Sequence, residues 1–141
     1  MAVHGILNLF TPLGMTSMEA VRQVKRLTDE RKVGHGGTLD PIATGVLPIC
    51  FGQATRMMDY LVESTKLYRA QVLLGVATDT YDSHGEVVST ADPSSITRDI
   101  VETALEDFKG VVYQVPPMYS ALKREGERLY NLARAGVDVP R

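Results

Sequence analysis

The sequence predicts an α+β fold. Short apolar or alternating runs such as Ile6–Leu9, Ile49–Phe51 and Tyr68–Leu74 have the period of strands. Two other stretches, 17–28 and 100–108, repeat apolar residues at helical spacing. These elements follow one another without the regular strand–helix alternation that a parallel α/β sheet requires.

In order along the chain, Ile6, Leu7 and Leu9 suggest a first strand, closed by Pro12 and Gly14. Thr16 followed by Glu19 has the spacing of a capping box, and Ala20, Val21, Val24 and Leu27 recur as one face of a helix from about Ser17 to Thr28. Its outer face carries Arg22, Lys25 and Arg26. A polar segment, 29–37, leads into a glycine-rich string, and Ile49 to Phe51 read as a buried strand ending at Gly52. Gln53 to Ser64 reads as a helix with Met57, Met58, Tyr60 and Leu61 partly buried. Tyr68, Ala70, Val72 and Leu74 alternate as in a strand, 78–85 is rich in turn residues, and Val87–Val88 begin the return strand. A further helix places Ile100, Val101, Ala104, Leu105 and Phe108 on one face and stops at Gly110. Val111 to Val115 reads as a strand halted by Pro116–Pro117, and Glu127 to Ala135 as a closing helix.

A chain of 141 residues is one domain by length. Its single cysteine, Cys50, excludes an internal disulfide and sits among apolar neighbours, as a buried structural thiol does. No apolar run has the length of a membrane span and the start lacks a secretory pattern, so the expected location is the cytoplasm, with no membrane partner. His4, His35 and His84 have no ligand spacing, so no metal site is expected. The net charge of −2 argues weakly against a nucleic-acid partner. It is unevenly spread, at +1 over residues 1–60, −6 over 61–108 and +3 over 109–141. Two basic clusters result: Arg22, Lys25, Arg26, Arg31 and Lys32, and Lys123, Arg124, Arg128 and Arg134. On charge alone, both read as solvated helix faces.

The most informative stretch is 34–48, GHGGTLDPIATGVLP, with four glycines and a single acid, Asp40. Clustered glycine marks backbone that turns unusually or meets something closely. Taken alone, Asp40–Pro41 fits an N-cap before a short helical turn over 42–46. The glycine spacing is not that of a phosphate-binding loop. The whole string, however, resembles the signature of the TruB-type tRNA pseudouridine synthases, Gly-His-x-Gly-x-Leu-Asp-Pro-x-Ala-x-Gly-x-Leu, and fills every fixed position from Gly34 to Leu47. Pro12-x-Gly14-x-Thr16-Ser17 is similar to the family's opening segment and Lys66-x-Tyr68-Arg69 to its second motif. Thr78-Asp79-Thr80 with Asp82 and Gly85 resembles its acidic turn, and Pro117 to Lys123 a further block.

The resemblance implies a mixed, mainly antiparallel sheet with flanking helices, like the N-terminal half of the synthase catalytic domain. It implies isomerisation of the T-loop uridine of tRNA, uridine-55, to pseudouridine. That reaction breaks the N-glycosidic bond, turns the uracil and rejoins it through carbon 5, with no cofactor. Asp40 maps onto the catalytic carboxylate, as nucleophile or as the base that takes a ribose proton. A turn rich in backbone N–H donors favours its ionised form. The target base must be flipped out of the RNA. Tyr68 would lie against the flipped uracil and His35 against the RNA near the vacated position; by residue type alone, they read as a strand aromatic and a locally bonded loop histidine. Asp79 and Asp82 read as turn residues, and Lys123 fits a phosphate contact. The expected partner is the tRNA T-arm, with no protein partner.

Two departures matter. Thr11 stands where the family usually has lysine. A Gly-Thr-Tyr-Ile-Arg block, whose arginine pairs with the aspartate in the family, is absent, as is a C-terminal RNA-binding domain. The chain therefore reads as an incomplete catalytic domain, weakly active or inactive alone, whose exposed sheet edge invites self-association. The rival reading is a non-catalytic RNA-binding module of the same fold; keeping Asp40 together with Tyr68 counts against it.

Overall fold

A computed structural model describes residues 3–116, 118, 120, 122–124, 126–137 and 139–140; of 123, 124, 130 and 134 it describes the backbone only. It divides into two compact units, Met1–Arg69 and Ala70–Arg141.

The first unit is built on a three-stranded antiparallel sheet in the order β1-β3-β2. Its strands are β1 (Gly5–Thr11), β2 (Val33–His35) and β3 (Gly45–Phe51). β3 is central and its alternate residues Leu47, Ile49 and Phe51 meet Ala20, Val21 and Val24 of helix α1 (Ser17–Thr28). Leu9, Met15 and Val33 pack around this cluster. Burying each large apolar side chain contributes about 1.5–3 kcal/mol, so this patch holds the unit together. Cys50, on the other face of β3, is also wholly buried, and that burial pushes its thiol pKa up.

The capping box at α1 forms as its spacing predicts. The Thr16 hydroxyl accepts from the Glu19 N–H at 3.2 Å, and the Glu19 carboxylate accepts from the Thr16 N–H at 2.8 Å. The helix ends at Asp29, which adopts the left-handed conformation with φ 51°. Leu27 departs from expectation: it is 85% exposed, because the core cluster ends at Val24 and the last turn runs beyond it.

The polar segment after α1 contains a strand that its composition hides. β2 reads Val-Gly-His and pairs through its backbone, with Val33 opposite Phe51 and His35 opposite Ile49. The predicted helix over 53–64 is split into a 3-10 turn, Gly52–Met57, and α2 (Met58–Glu63). Met58 and Leu61 are half-buried there, whereas Met57 and Tyr60 are exposed.

The second unit contains the hairpin β4 (Val76–Thr78) and β5 (Val87–Thr90), then α3 (Arg98–Leu105), capped by the Thr97 hydroxyl. A two-residue pair, β6 (Lys123–Arg124) and β7 (Glu127–Arg128), precedes α4 (Leu129–Arg134). Two predicted strands do not form. Residues 68–74 and 111–115 are irregular despite their apolar patterns, since neither finds a backbone partner among the described residues. Glu127–Arg128 is strand where helix was predicted, because it pairs with β6. The apolar face of α3 is formed but exposed at Ile100 and Leu105, and Phe108, in the 3-10 turn Glu106–Phe108 that follows, is exposed as well.

The capping box carries a pH signature. The Glu19 carboxyl is held below its usual 4.5 by the Thr16 hydroxyl first and the Thr16 N–H second. A depressed carboxyl stabilises the fold above its unfolded pKa, and that stabilisation is lost as pH falls through the folded value. Glu19→Gln should therefore lower the melting temperature at pH 7, and the gap to wild type should close below about pH 4. Thermal melts of both proteins between pH 7 and 3 check this; a gap that persists at pH 3 assigns the loss to packing.

Candidate active site

The glycine-rich string forms a hairpin. β2 runs in, β3 runs out, and residues 36–44 connect them. Gly36 extends the ladder by donating to the Pro48 carbonyl at 2.8 Å. Asp40 sits in the connection, where the Ala43 N–H donates to the Asp40 carbonyl at 2.9 Å and makes a tight turn. The helical turn that Asp40–Pro41 suggests in isolation is replaced by this turn, since β3 already begins at Gly45.

Three hydrogen bonds, from two residues on the opposite side, grip the connection. The Ser17 hydroxyl donates to the Leu39 carbonyl at 3.2 Å and accepts the Leu39 N–H at 2.9 Å. The Gly14 N–H donates to the Pro41 carbonyl at 2.7 Å. Both residues flanking Asp40 are thus fixed through their backbones. Gly14 reaches this position with φ 84°, in the left-handed region that favours glycine. In sequence Ser17 is the start of a helix and the last residue of the Pro12-x-Gly14-x-Thr16-Ser17 segment; neither shows its bond to Leu39.

The Asp40 side chain is exposed and accepts no hydrogen bond from the described residues. This differs from the expectation of a donor-rich turn. Three of the turn's N–H groups go elsewhere, those of Leu39 to Ser17, Gly36 to the Pro48 carbonyl and Ala43 to the Asp40 carbonyl, and Pro41 has none. A hollow of about 360 Å³ lies next to the turn, lined by Leu39 and Thr44 on either side of Asp40 in sequence, by Gly36 and Leu61, and by Lys66 and Tyr68; Asp40 itself is not among its lining residues. Tyr68 is 69% exposed and comes from irregular chain, not from the predicted strand. The Lys66 ammonium shapes that chain by donating to the Leu61 and Val62 carbonyls, at 2.8 and 2.9 Å, at the end of α2.

The other candidates lie differently. His35 Nδ1 donates to the Gly37 carbonyl within its own loop, which fixes its tautomer, and the residue does not line the hollow. Thr11, at the position where lysine was expected, is wholly buried at the end of β1. Asp79 and Asp82 accept from the backbone of Glu86 and His84 at 2.9 Å each, as turn residues do. Asp82 is held below the usual carboxylate range by the Thr80 hydroxyl, then by the His84 N–H. Lys123 lies in β6, and its side chain falls outside the described residues, as do Pro117, Tyr119 and Ala121 of the same block. Among the described residues no group of three or more His, Cys, Asp or Glu side chains converges on a point that could hold a metal, and no helix is long and apolar enough to cross a membrane.

A family model described as TruB family pseudouridylate synthase (N terminal domain) matches residues 25–141. The chain belongs to this family. It is 50% identical over 139 residues to a tRNA pseudouridine synthase B of Clostridium perfringens, covering 99% of this chain and 47% of that relative. A tRNA pseudouridine synthase B of Clostridium kluyveri is 54% identical over the same length, with 48% of it covered. The chain thus spans about half the length of the curated relatives it matches. Among solved structures, a chain of a Cbf5-Nop10-Gar1 complex is similar with a TM-score of 0.57 and 30% identity, over 86% of this chain and 32% of that one. The α+β architecture of antiparallel ladders with flanking helices agrees with that likeness.

The grip on the TruB hairpin can be tested directly. Ser17 is 5% exposed, so Ser17→Ala leaves the Leu39 N–H and carbonyl without their partner. We expect a loss of about 1–3 kcal/mol in denaturant unfolding and faster exchange of the Leu39 amide, with Ser17→Thr losing less. Gly36→Ala places a methyl 2.6 Å from the Leu61 Cβ, too close to be absorbed by a rotamer change. It should destabilise by about 1–3 kcal/mol and move the 61–68 wall of the hollow, read by amide chemical shifts of that segment.

Proposed function

We propose that this chain provides the aspartate-bearing part of a tRNA pseudouridine synthase that acts on the T-loop uridine, uridine-55, with Asp40 as the catalytic carboxylate. The observation that carries the reading is the hollow beside the Asp40 turn. Its walls come from the chain on both sides of Asp40 and from the Tyr68 segment, so one unit brings the exposed turn that carries the carboxylate next to a space of about 360 Å³ that Tyr68 lines. The names of the curated relatives support the reaction class and the tRNA substrate.

In this reading the uridine leaves its stack and enters the hollow, at a cost of a few kcal/mol. Tyr68 covers the uracil by stacking, and its hydroxyl stands near the base for the closing proton transfer. Asp40 acts on the ribose side, where its position is set by the fixed backbones of Leu39 and Pro41. His35 braces the loop through Gly37 and faces the RNA near the vacated position. Lys123 contacts a phosphate. The site of action is the cytoplasm.

The test uses the chain joined to the C-terminal half of its Clostridium perfringens relative, with a T-arm stem-loop as substrate. Asp40→Asn should lower turnover by about a thousandfold, equivalent to about 4 kcal/mol of barrier, with RNA affinity kept. Tyr68→Leu should lower turnover less. Pseudouridine formation, followed by release of the carbon-5 proton, reads both. Turnover that survives Asp40→Asn would remove the catalytic reading and leave a binding module.

A further inference from the structure

A second concavity, of about 830 Å³, lies on the first unit outside the Asp40 hollow. One wall is the loop Pro12–Met15, and the other is the outer face of α1 with Arg22, Lys25 and Arg26. We propose that this groove carries the sugar–phosphate backbone of the bound RNA as it leaves the Asp40 site. The proposal rests on the reading of that site as the uridine pocket.

Three observations support it. Arg22, Lys25 and Arg26 fall within about one helical turn on one face, and all three are exposed. None forms an ion pair among the described residues, whereas Arg98 and Lys109 pair with Glu102 and Glu106. In a chain of net charge −2, three exposed cations thus share one groove, although Arg22 also acts through space on the Glu19 carboxylate. The acid on the same wall, Glu19, is already engaged by the Thr16 hydroxyl and N–H at 2.6 and 2.8 Å. Lastly, the groove and the catalytic turn share a wall. Gly14 lines the groove and holds Pro41, the residue after Asp40. A strand with its uridine at Asp40 therefore meets the Pro12–Met15 loop next and the three cations beyond it. Leu13, 69% exposed on that loop, offers an apolar face to ribose.

The test is binding of a fluorescent T-arm stem-loop to the 141-residue chain at several salt concentrations. The variant Arg22→Gln/Lys25→Gln/Arg26→Gln is compared with wild type and with Arg98→Gln/Lys109→Gln, which removes two paired cations elsewhere. The groove variant should bind about tenfold more weakly or worse, and its log K against log salt slope should fall by about 2. Its melting temperature should stay at the wild-type value, since all three side chains are exposed. The control should match wild type. Equal affinity and slope in the groove variant overturn the proposal, as does equal weakening by the control, which means net charge alone acts. So does a groove variant that keeps RNA but loses an acidic peptide, which identifies a protein partner instead, and so does a wild type that binds no RNA. Asp40→Asn should leave this binding intact, so a failed groove and a failed catalytic assignment give different results.

Discussion

Everything at the candidate site depends on how the backbone on either side of Asp40 is held. A nine-residue hairpin connection has many conformations open to it, and ordering each residue costs about 1–2 kcal/mol. Here the connection is not held by its own side chains. Its ends are fixed by the β2–β3 ladder, and its middle by Ser17 on Leu39 and Gly14 on Pro41. The three backbone contacts come from the loop and helix start that directly follow β1. Since β1 is itself paired along its length with β3, the grip and the gripped turn are anchored to the same central strand. A displacement of the Asp40 backbone therefore requires breaking the Ser17 and Gly14 hydrogen bonds on either side of it.

What could be read from the sequence divides along a physical line. Local signals survived. The capping box over Thr16–Glu19 fixed the start of α1, and Ala20, Val21 and Val24 formed the core face that their spacing implies. Signals that depend on a partner elsewhere did not. The alternation over 68–74 and the apolar run over 111–115 look like strands, yet a strand is defined by backbone pairing, which neither makes among the described residues. The reverse holds for β2, whose Val-Gly-His has little strand character and is a strand only because β3 pairs with it.

The site shows the same division. The motifs single out Asp40 and Tyr68; Tyr68 lines the hollow together with Leu39 and Thr44 from the Asp40 turn, while Asp40 itself does not line it. What the motif did not show is how each is placed. Lys66 could be read as a charged motif residue, but its ammonium instead satisfies carbonyls at the end of α2 and so sets the path of the chain to Tyr68. Ser17 could be read as a helix-start residue, but its hydroxyl is spent on the strand connection. In both cases a polar side chain in a conserved-looking pattern acts on backbone, and periodicity carries no trace of that.

The exposed carboxylate has a consequence for how selectivity can arise. A carboxylate in water attacks or deprotonates poorly, because its hydration must be removed as charge moves; exclusion of water strengthens every later electrostatic contact. Among the described residues Asp40 is exposed, and the hollow next to its turn is lined by Leu39, Leu47, Leu61 and Tyr68 among others. On the proposed reading, a flipped base and ribose filling the hollow would supply that cover, and an RNA that cannot extrude its uridine would leave the acid hydrated. Reactivity would then be coupled to the flipped state of the substrate.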